Sequence, residues 1–74
     1  MGFKLWVSRD KRMVALYTEK ACVDIFMEKE GVDIPEDKVR LEFYEGDRLL
    51  EVRYIDVESE YSLDDIIDFL KRFE

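Results

Sequence analysis

Residues 39–54, VRLEFYEGDRLLEVRY, contain two alternating stretches on either side of a turn. An apolar side chain at every second position is typical of strands that bury one face. These positions are Val39, Leu41 and Phe43 before the turn, and Leu50, Val52 and Tyr54 after it. Gly46 at the first turn position suits a type II′ turn. We therefore expect a hairpin in which Phe43 faces Leu50 and both strands bury the same side.

One feature of this hairpin conflicts with its charges. The simple register places Arg40 opposite Arg53 and Glu42 opposite Glu51, and like charges directly across a ladder are unfavourable. Two arrangements would relieve the conflict. Either diagonal pairs of opposite charge compensate, or a β-bulge shifts the register.

A second alternating hairpin precedes it. Phe3, Leu5 and Val7 share one face, as do Val14 and Leu16. Asp10-Lys11 lies where a tight turn is needed, although this dipeptide is a weaker turn signal than Gly46-Asp47. The turn predicts that Val7 faces Val14.

The segment after residue 61 has the pattern of an amphipathic helix. Ser62 followed by Asp65 is a weakened capping box, and Asp64 and Asp65 suit the positive end of a helix dipole. Lys71 and Arg72 suit the negative end. Apolar residues with helical spacing are Leu63, Ile66, Ile67, Leu70 and Phe73. We predict a helix from Leu63 to Phe73.

An earlier helix is predicted between Thr18 and Gly31. Thr18 is an N-cap residue type, and Gly31 suits a left-handed helix stop. The inward stripe would consist of Ala21, Cys22, Ile25, Phe26 and Lys29. Pro35 then favours a loop, because it biases Ile34 away from helical conformation.

These elements predict an α+β fold of the β-β-α-β-β-α kind. It would have two layers, a four-stranded antiparallel sheet with two helices on one face. Residues 1–74 would form one domain. The hairpins echo each other at an offset of 36 residues, which suggests a repeated ββα unit over 1–36 and 37–74.

Composition excludes several chemistries. The 74 residues include one Cys and no His, so His-based catalysis, imidazole zinc sites and Cys-rich zinc sites are absent. No Gly-rich phosphate loop occurs, and we expect no enzyme. The lone cysteine and the lack of a targeting or membrane-spanning segment favour a soluble cytoplasmic protein. Charged residues make up 42%, and Asn and Gln are missing, a tendency of thermophilic archaea and bacteria.

The side of the sheet opposite the helices is the first candidate site. It would present apolar side chains that an ordinary surface does not leave in water, namely Trp6, Met13, Tyr17, Tyr44 and Leu49. This pattern predicts a protein-binding face, with a second copy of the chain as one partner. The alternative is that a terminal segment or the long loop covers it.

The segment from 56 to 65 is the second candidate. Its oxygen-rich side chains suit Ca²⁺, and the proposed ligands are Asp56, Glu58, Glu60 and Asp64. The segment does not match an EF-hand loop, since Ile67 stands where the bidentate Glu belongs. The alternative is a solvated loop that leads into a helix whose N-terminus favours acidic side chains.

Nucleic-acid binding is disfavoured by the charges. Residues 1–20 hold five basic and two acidic residues, but the whole chain carries −7. An acidic mimic of nucleic acid is a further alternative, although acidity more often serves solubility. The sequence as a whole favours a non-enzymatic protein-binding or self-associating module, with calcium binding as the rival hypothesis.

Overall fold

Each strand of the protein pairs with the strand before or after it in the chain. A computed structural model describes residues 3–58 and 63–73. The elements, in order, are β1 Lys4–Val7, β2 Met13–Tyr17, β3 Ala21–Phe26, β4 Lys38–Glu45, β5 Arg48–Asp56 and α1 Leu63–Lys71. The strands form one antiparallel meander in the spatial order β1-β2-β3-β4-β5.

The predicted β-β-α-β-β-α fold is wrong, because the segment between Thr18 and Gly31 contains β3 instead of a helix. β3 lies between β2 and β4 and pairs with both, so its backbone takes part in two ladders. Over residues 3–58 and 63–73 the protein is a five-stranded sheet with a single short helix, a mostly-β fold. Among the described positions, residues 1–36 hold three strands, whereas 37–74 hold two strands and a helix.

Thr18 and Gly31, which were interpreted as the two ends of a helix, have other roles in the structure. Thr18 Oγ1 accepts hydrogen bonds from the backbone N–H groups of Lys20 and Ala21, at 3.2 and 3.1 Å. This is capping chemistry used in a turn between two strands. Gly31 has a φ of +80°, as a left-handed stop requires, but it lies in a turn where Val32 N–H donates to the Lys29 carbonyl. Both residues therefore mark turns.

The first hairpin has the predicted register, with Val7 opposite Val14. Its turn spans residues 8–12, and Asp10 stabilises it by accepting hydrogen bonds from Ser8 Oγ and from the backbone N–H of Arg12. Lys11 adopts a positive φ of 62°.

The second hairpin contains a bulge. Tyr44 pairs with Leu49 as the simple register requires, but Phe43 pairs with Glu51, so Leu50 is the extra residue on β5. Beyond the bulge Arg40 faces Tyr54 and Glu42 faces Val52, which removes both like-charge pairs. The bulge alternative is thus confirmed, and the expectation that Phe43 faces Leu50 is wrong.

The bulge also reverses the side of the sheet to which each β5 residue after Leu50 points. Val52 and Tyr54, expected to point inward, lie on the side away from the helix, since they pair with Glu42 and Arg40. Arg53 lies on the helix side, with its guanidinium 5.8 Å from the centre of the Phe43 ring.

The predicted C-terminal helix is confirmed as α1, although it ends at Lys71 rather than Phe73. Ile66 and Leu70 of α1 are buried against the centre of the sheet. Phe69 packs edge-on against Phe43, with ring centres 5.0 Å apart. The sheet residues in this core are Leu16, Ala21, Val23, Leu41 and Phe43. Ser62, the predicted cap, lies outside the described residues.

One helix covers only the middle of the sheet. The main strand contact of α1 is with β3, the central strand. Leu5 and Val7 point to the helix side of β1 but are 62% and 45% exposed. Nowhere in residues 3–58 and 63–73 is a helix long and apolar enough to span a membrane.

Candidate protein-binding face

The side of the sheet away from α1, called the open face below, carries all five predicted binding residues. Directly paired residues share a face. Tyr17, Tyr44 and Leu49 lie in one cross-strand row, since Tyr17 pairs with Cys22, Cys22 with Tyr44 and Tyr44 with Leu49. Trp6 pairs with Ala15, and Met13 with Phe26, on the same side.

The apolar side chains on the open face are exposed mainly toward its two edges. Trp6 on β1 is 49% exposed and Leu49 on β5 is 48% exposed. Tyr54, which the bulge brings to this face, is also exposed, while Met13, Tyr17 and Tyr44 are half-buried. Glu51 and Arg53, expected here from the simple register, are on the helix side.

The centre of the open face is a polar network that the sequence did not predict. Glu42, in the middle of β4, is 1% exposed and accepts three side-chain hydrogen bonds. The donors are Lys29 Nζ at 2.6 Å, Arg40 Nε at 2.7 Å and Tyr44 OH at 2.7 Å. We call Glu42 with these three donors the Glu42 network. Lys29 enters it from the loop after β3, and its ammonium also lies 4.8 Å from the Phe26 ring centre.

The network sets the charge states of its members. Burial by itself would raise the pKa of Glu42, but the hydrogen bonds from Lys29, Tyr44 and Arg40 outweigh it and lower the pKa to about 2. The same contact with the carboxylate, together with burial, raises the pKa of Tyr44 to about 12. At neutral pH Glu42 is therefore ionised and Tyr44 keeps its proton.

The network also compensates a like-charge pair. Asp24 on β3 lies directly opposite Glu42 on β4, an arrangement that is unfavourable without cations. Lys29 and Arg40 both contact Glu42, and Asp24 accepts a hydrogen bond from the Cys22 thiol at 3.1 Å. Because Cys22 was predicted to lie on a helix, its hydrogen bond to Asp24 on β3 was not expected.

The Cys22 thiol is held in its protonated form. Burial, followed by the hydrogen bond to Asp24, raises the pKa of Cys22 to about 12. We expect iodoacetamide to alkylate Cys22 at pH 8 at least about tenfold more slowly in the folded protein than in urea, because the thiolate is the nucleophile.

The role of Asp24 in this slow alkylation can be tested separately. Asp24→Asn should speed the reaction in the folded protein, because the neutral amide no longer disfavours the thiolate. Mass spectrometry of the modified fraction over time measures both rates. Equal alkylation rates for folded and unfolded chains would contradict the raised pKa of Cys22 in the folded protein.

The acidic segment proposed to bind Ca²⁺ lies only in part among the described residues. Asp56 pairs with Lys38, and this contact raises the pKa of that lysine. Glu58 is exposed beyond β5, Asp64 lies in the first turn of α1, and Glu60 lies outside the described residues. Within 3–58 and 63–73 no group of three or more acidic or Cys side chains is arranged to hold a metal ion.

Comparison of the chain with protein-family models, with curated proteins and with solved structures gives no match. Its function is therefore inferred from its own side chains.

Proposed function

We propose that the protein is a non-enzymatic protein-binding or self-associating module that acts through its open face. The observation that carries this proposal is that Trp6, Met13, Tyr17, Tyr44 and Leu49 share one side of the sheet, with Trp6 and Leu49 half exposed to water.

The residue types on this face support the proposal. Protein interfaces are enriched in Tyr, Trp, Met and Arg, and exposed apolar groups rimmed by charge favour association. The open face combines Trp6, Met13 and three tyrosines with Arg40 beside the Tyr54 ring. A partner would bury these aromatic groups, which account for much of the binding energy at interfaces.

The polar groups on the face support binding over catalysis. Glu42, Arg40 and Tyr44 already hydrogen-bond to one another, and the pKa of the Cys22 thiol is raised instead of lowered. A catalytic acid, base or nucleophile needs a pKa matched to its task. These groups instead form a fixed polar centre that orients a partner.

A photo-crosslinking experiment tests the proposal without knowledge of the partner. Benzoylphenylalanine replaces Leu49 on the open face or, in a control protein, Val57, which is 47% exposed just after β5. In the cells that produce the protein, we expect crosslinked protein species from position 49 and not from position 57. A Tyr17→Ser substitution should reduce the yield at position 49 several-fold, because it removes an aromatic contact from the same face.

Two results would count against the proposal. Equal crosslinking at positions 49 and 57 would show that the open face binds other proteins no more than the rest of the surface does. A yield at 49 that Tyr17→Ser leaves unchanged, with circular dichroism confirming the fold, would show that its aromatic residues do not bind the partner.

A further inference from the structure

The outer edge of β1 is a second surface, with backbone N–H and C=O groups that no other described strand pairs with. β1 pairs with β2 on one side and, among the described residues, has no strand on the other. Its residues Leu5, Trp6 and Val7 are all exposed, with Trp6 on the open face and the other two on the helix side. Their exposure shows that side chains on both faces of β1 are accessible from Leu5 to Val7.

The direction of each backbone group in β1 follows from the turn. Ser8 N–H donates to the Met13 carbonyl at 3.0 Å, which makes these residues a hydrogen-bonded pair. Hydrogen-bonded and non-hydrogen-bonded pairs alternate along an antiparallel ladder, so Trp6 and Lys4 also bond toward β2. The N–H and C=O groups of Leu5 and Val7 therefore point away from the sheet.

Neighbouring bonds confirm this assignment. Successive residues of a strand direct their backbone N–H and C=O groups alternately to its two sides. If the odd-numbered residues of β2 bond to β1, its even-numbered residues must therefore bond to β3. The structure shows this alternation at both ends of β2, since Thr18 N–H donates to the Ala21 carbonyl and Met27 N–H donates to the Arg12 carbonyl.

The opposite edge of the sheet is protected and β1 is not. Edge strands avoid pairing with other chains by carrying charges and bulges. β5 has both, with the bulge at Leu50 and charged residues at Arg48, Glu51, Arg53 and Asp56. β1 has no bulge, and Lys4 is its only charged residue. Of the two edges, β1 is the one left open for pairing.

We propose that a second copy of the chain pairs with β1, antiparallel and across a two-fold axis, to form one continuous ten-stranded sheet. The proposal goes beyond the function proposed above, because its main contact is made by the outer backbone of β1. Leu5 lies on the axis and faces Leu5 of the second copy, and Val7 faces Phe3. This register uses the outward groups of Phe3, Leu5 and Val7 and forms about six backbone hydrogen bonds.

The side chains suit a second copy in this register. On the open face Lys4 faces Trp6 of the second copy, and the two-fold axis repeats this cation–π pair. On the helix side Leu5, Val7 and Phe3 meet apolar partners. No like charges lie directly across the junction. The strand is therefore complementary to itself, as a two-fold interface requires.

The size of the contact sets its strength. A stable interface buries about 800 Å² per partner, more than a strand of this length with three apolar side chains provides. We therefore expect a dimer that forms at micromolar to millimolar concentration and dissociates on dilution.

Val7→Pro is the sharpest test of this pairing. Proline removes the outward N–H of Val7 and leaves the bonds to β2 in place, and edge strands tolerate proline at such a position. Val7→Thr is its control, because threonine keeps the N–H and the β-branched shape. In sedimentation experiments on a concentration series, the wild type and Val7→Thr should approach twice the 8.9 kDa mass of one chain. Val7→Pro should remain monomeric.

A side-chain variant keeps the test decisive if proline disturbs the hairpin. Leu5→Lys places two lysines opposite each other on the axis and should also give a monomer. Val57→Lys adds the same charge at an exposed position after β5 and should dimerise like the wild type.

Three results would overturn the proposal. The first is a wild type that stays at the monomer mass at every concentration of the series, even if a different protein is found to pair with the β1 edge. The second is a Val7→Pro variant, with normal circular dichroism, that dimerises like the wild type. The third is a dimer lost in a Tyr17→Ser, Leu49→Ser double variant but kept in Val7→Pro and Leu5→Lys. That last result places the contact on the open face and leaves the proposed function standing.

Discussion

Glu42→Ala is expected to destabilise the protein by about 3–5 kcal/mol, because it removes three hydrogen bonds to a buried carboxylate, each of which contributes about 1.5–3 kcal/mol before the cost of burying the charge is subtracted. The substitution leaves Lys29, Arg40 and Tyr44 without their shared acceptor on the open face. A domain of this length has roughly 4–11 kcal/mol of stability in total. The variant should therefore be largely unfolded in a few molar urea, as followed by circular dichroism.

Glu51→Ala is the matched control. Glu51 is also a glutamate in the second hairpin, but its partner Arg53 and its own side chain are about half exposed. Exposed pairs of this kind contribute between 0 and about 1 kcal/mol. If the two variants unfold at the same urea concentration, the Glu42 network does not stabilise the fold.

The same network predicts an acid transition. The pKa of Glu42 is lower in the folded chain, about 2, than the ordinary value of 4.5. Its contribution to stability is therefore fully present above about pH 4.5 and is lost as the pH falls toward 2. Lys29 is one-third exposed and screened by water, so we expect a contribution of about 1–3 kcal/mol. Glu42→Gln should flatten this part of the stability curve, measured by urea unfolding between pH 2 and 7.

Leu70→Ala is expected to destabilise the protein by about 2–5 kcal/mol. Leu70 is 1% exposed and belongs to the cluster between α1 and the sheet. Its truncation leaves a cavity between α1 and the sheet, and among the described residues the sheet is the only layer that packs against α1. Urea unfolding followed by fluorescence of Trp6 and by circular dichroism measures the loss.

Asp68→Ala provides the control on the same helix. Asp68 is exposed, so its substitution should change stability by no more than about 0.5 kcal/mol. A Leu70→Ala variant as stable as Asp68→Ala would contradict the packing of α1 against the sheet.

The strands of the first hairpin and α1 could be predicted because each shows a single periodicity. Leu5, Val7, Val14 and Leu16 occupy every second position on either side of a turn, and the stripe through Ile66 and Leu70 has helical spacing. For β3 the two periods compete. Ala21, Cys22, Ile25 and Phe26 fit a helix face, whereas Ala21, Val23 and Ile25 fit a strand.

Pairing decides between the two interpretations of β3. β-branched Val23 and Ile25 favour the strand, and Val23 is fully buried between two ladders. The capping signals at Thr18 and Gly31 pointed the other way, because the same side-chain and backbone chemistry also serves turns. Local patterns do not show which strands are available as neighbours.

The candidate face was predicted well on three strands and poorly on one. Trp6, Tyr17 and Tyr44 follow from alternation alone, but the bulge at Leu50 reverses the faces of β5 beyond it. The only sign of this reversal in the sequence was the clash of like charges in the simple register. Glu42 was expected on this face, but its network was missed because Lys29, one of its partners, comes from a segment predicted as helix.

The position of α1 after all five strands has a consequence for synthesis. The meander pairs only strands adjacent in sequence, so each hairpin can form as soon as it leaves the ribosome. Leu41 and Phe43 remain without their covering layer until α1 has also emerged. During that interval the nascent chain presents an apolar sheet surface, the kind of surface that chaperones bind and that aggregates.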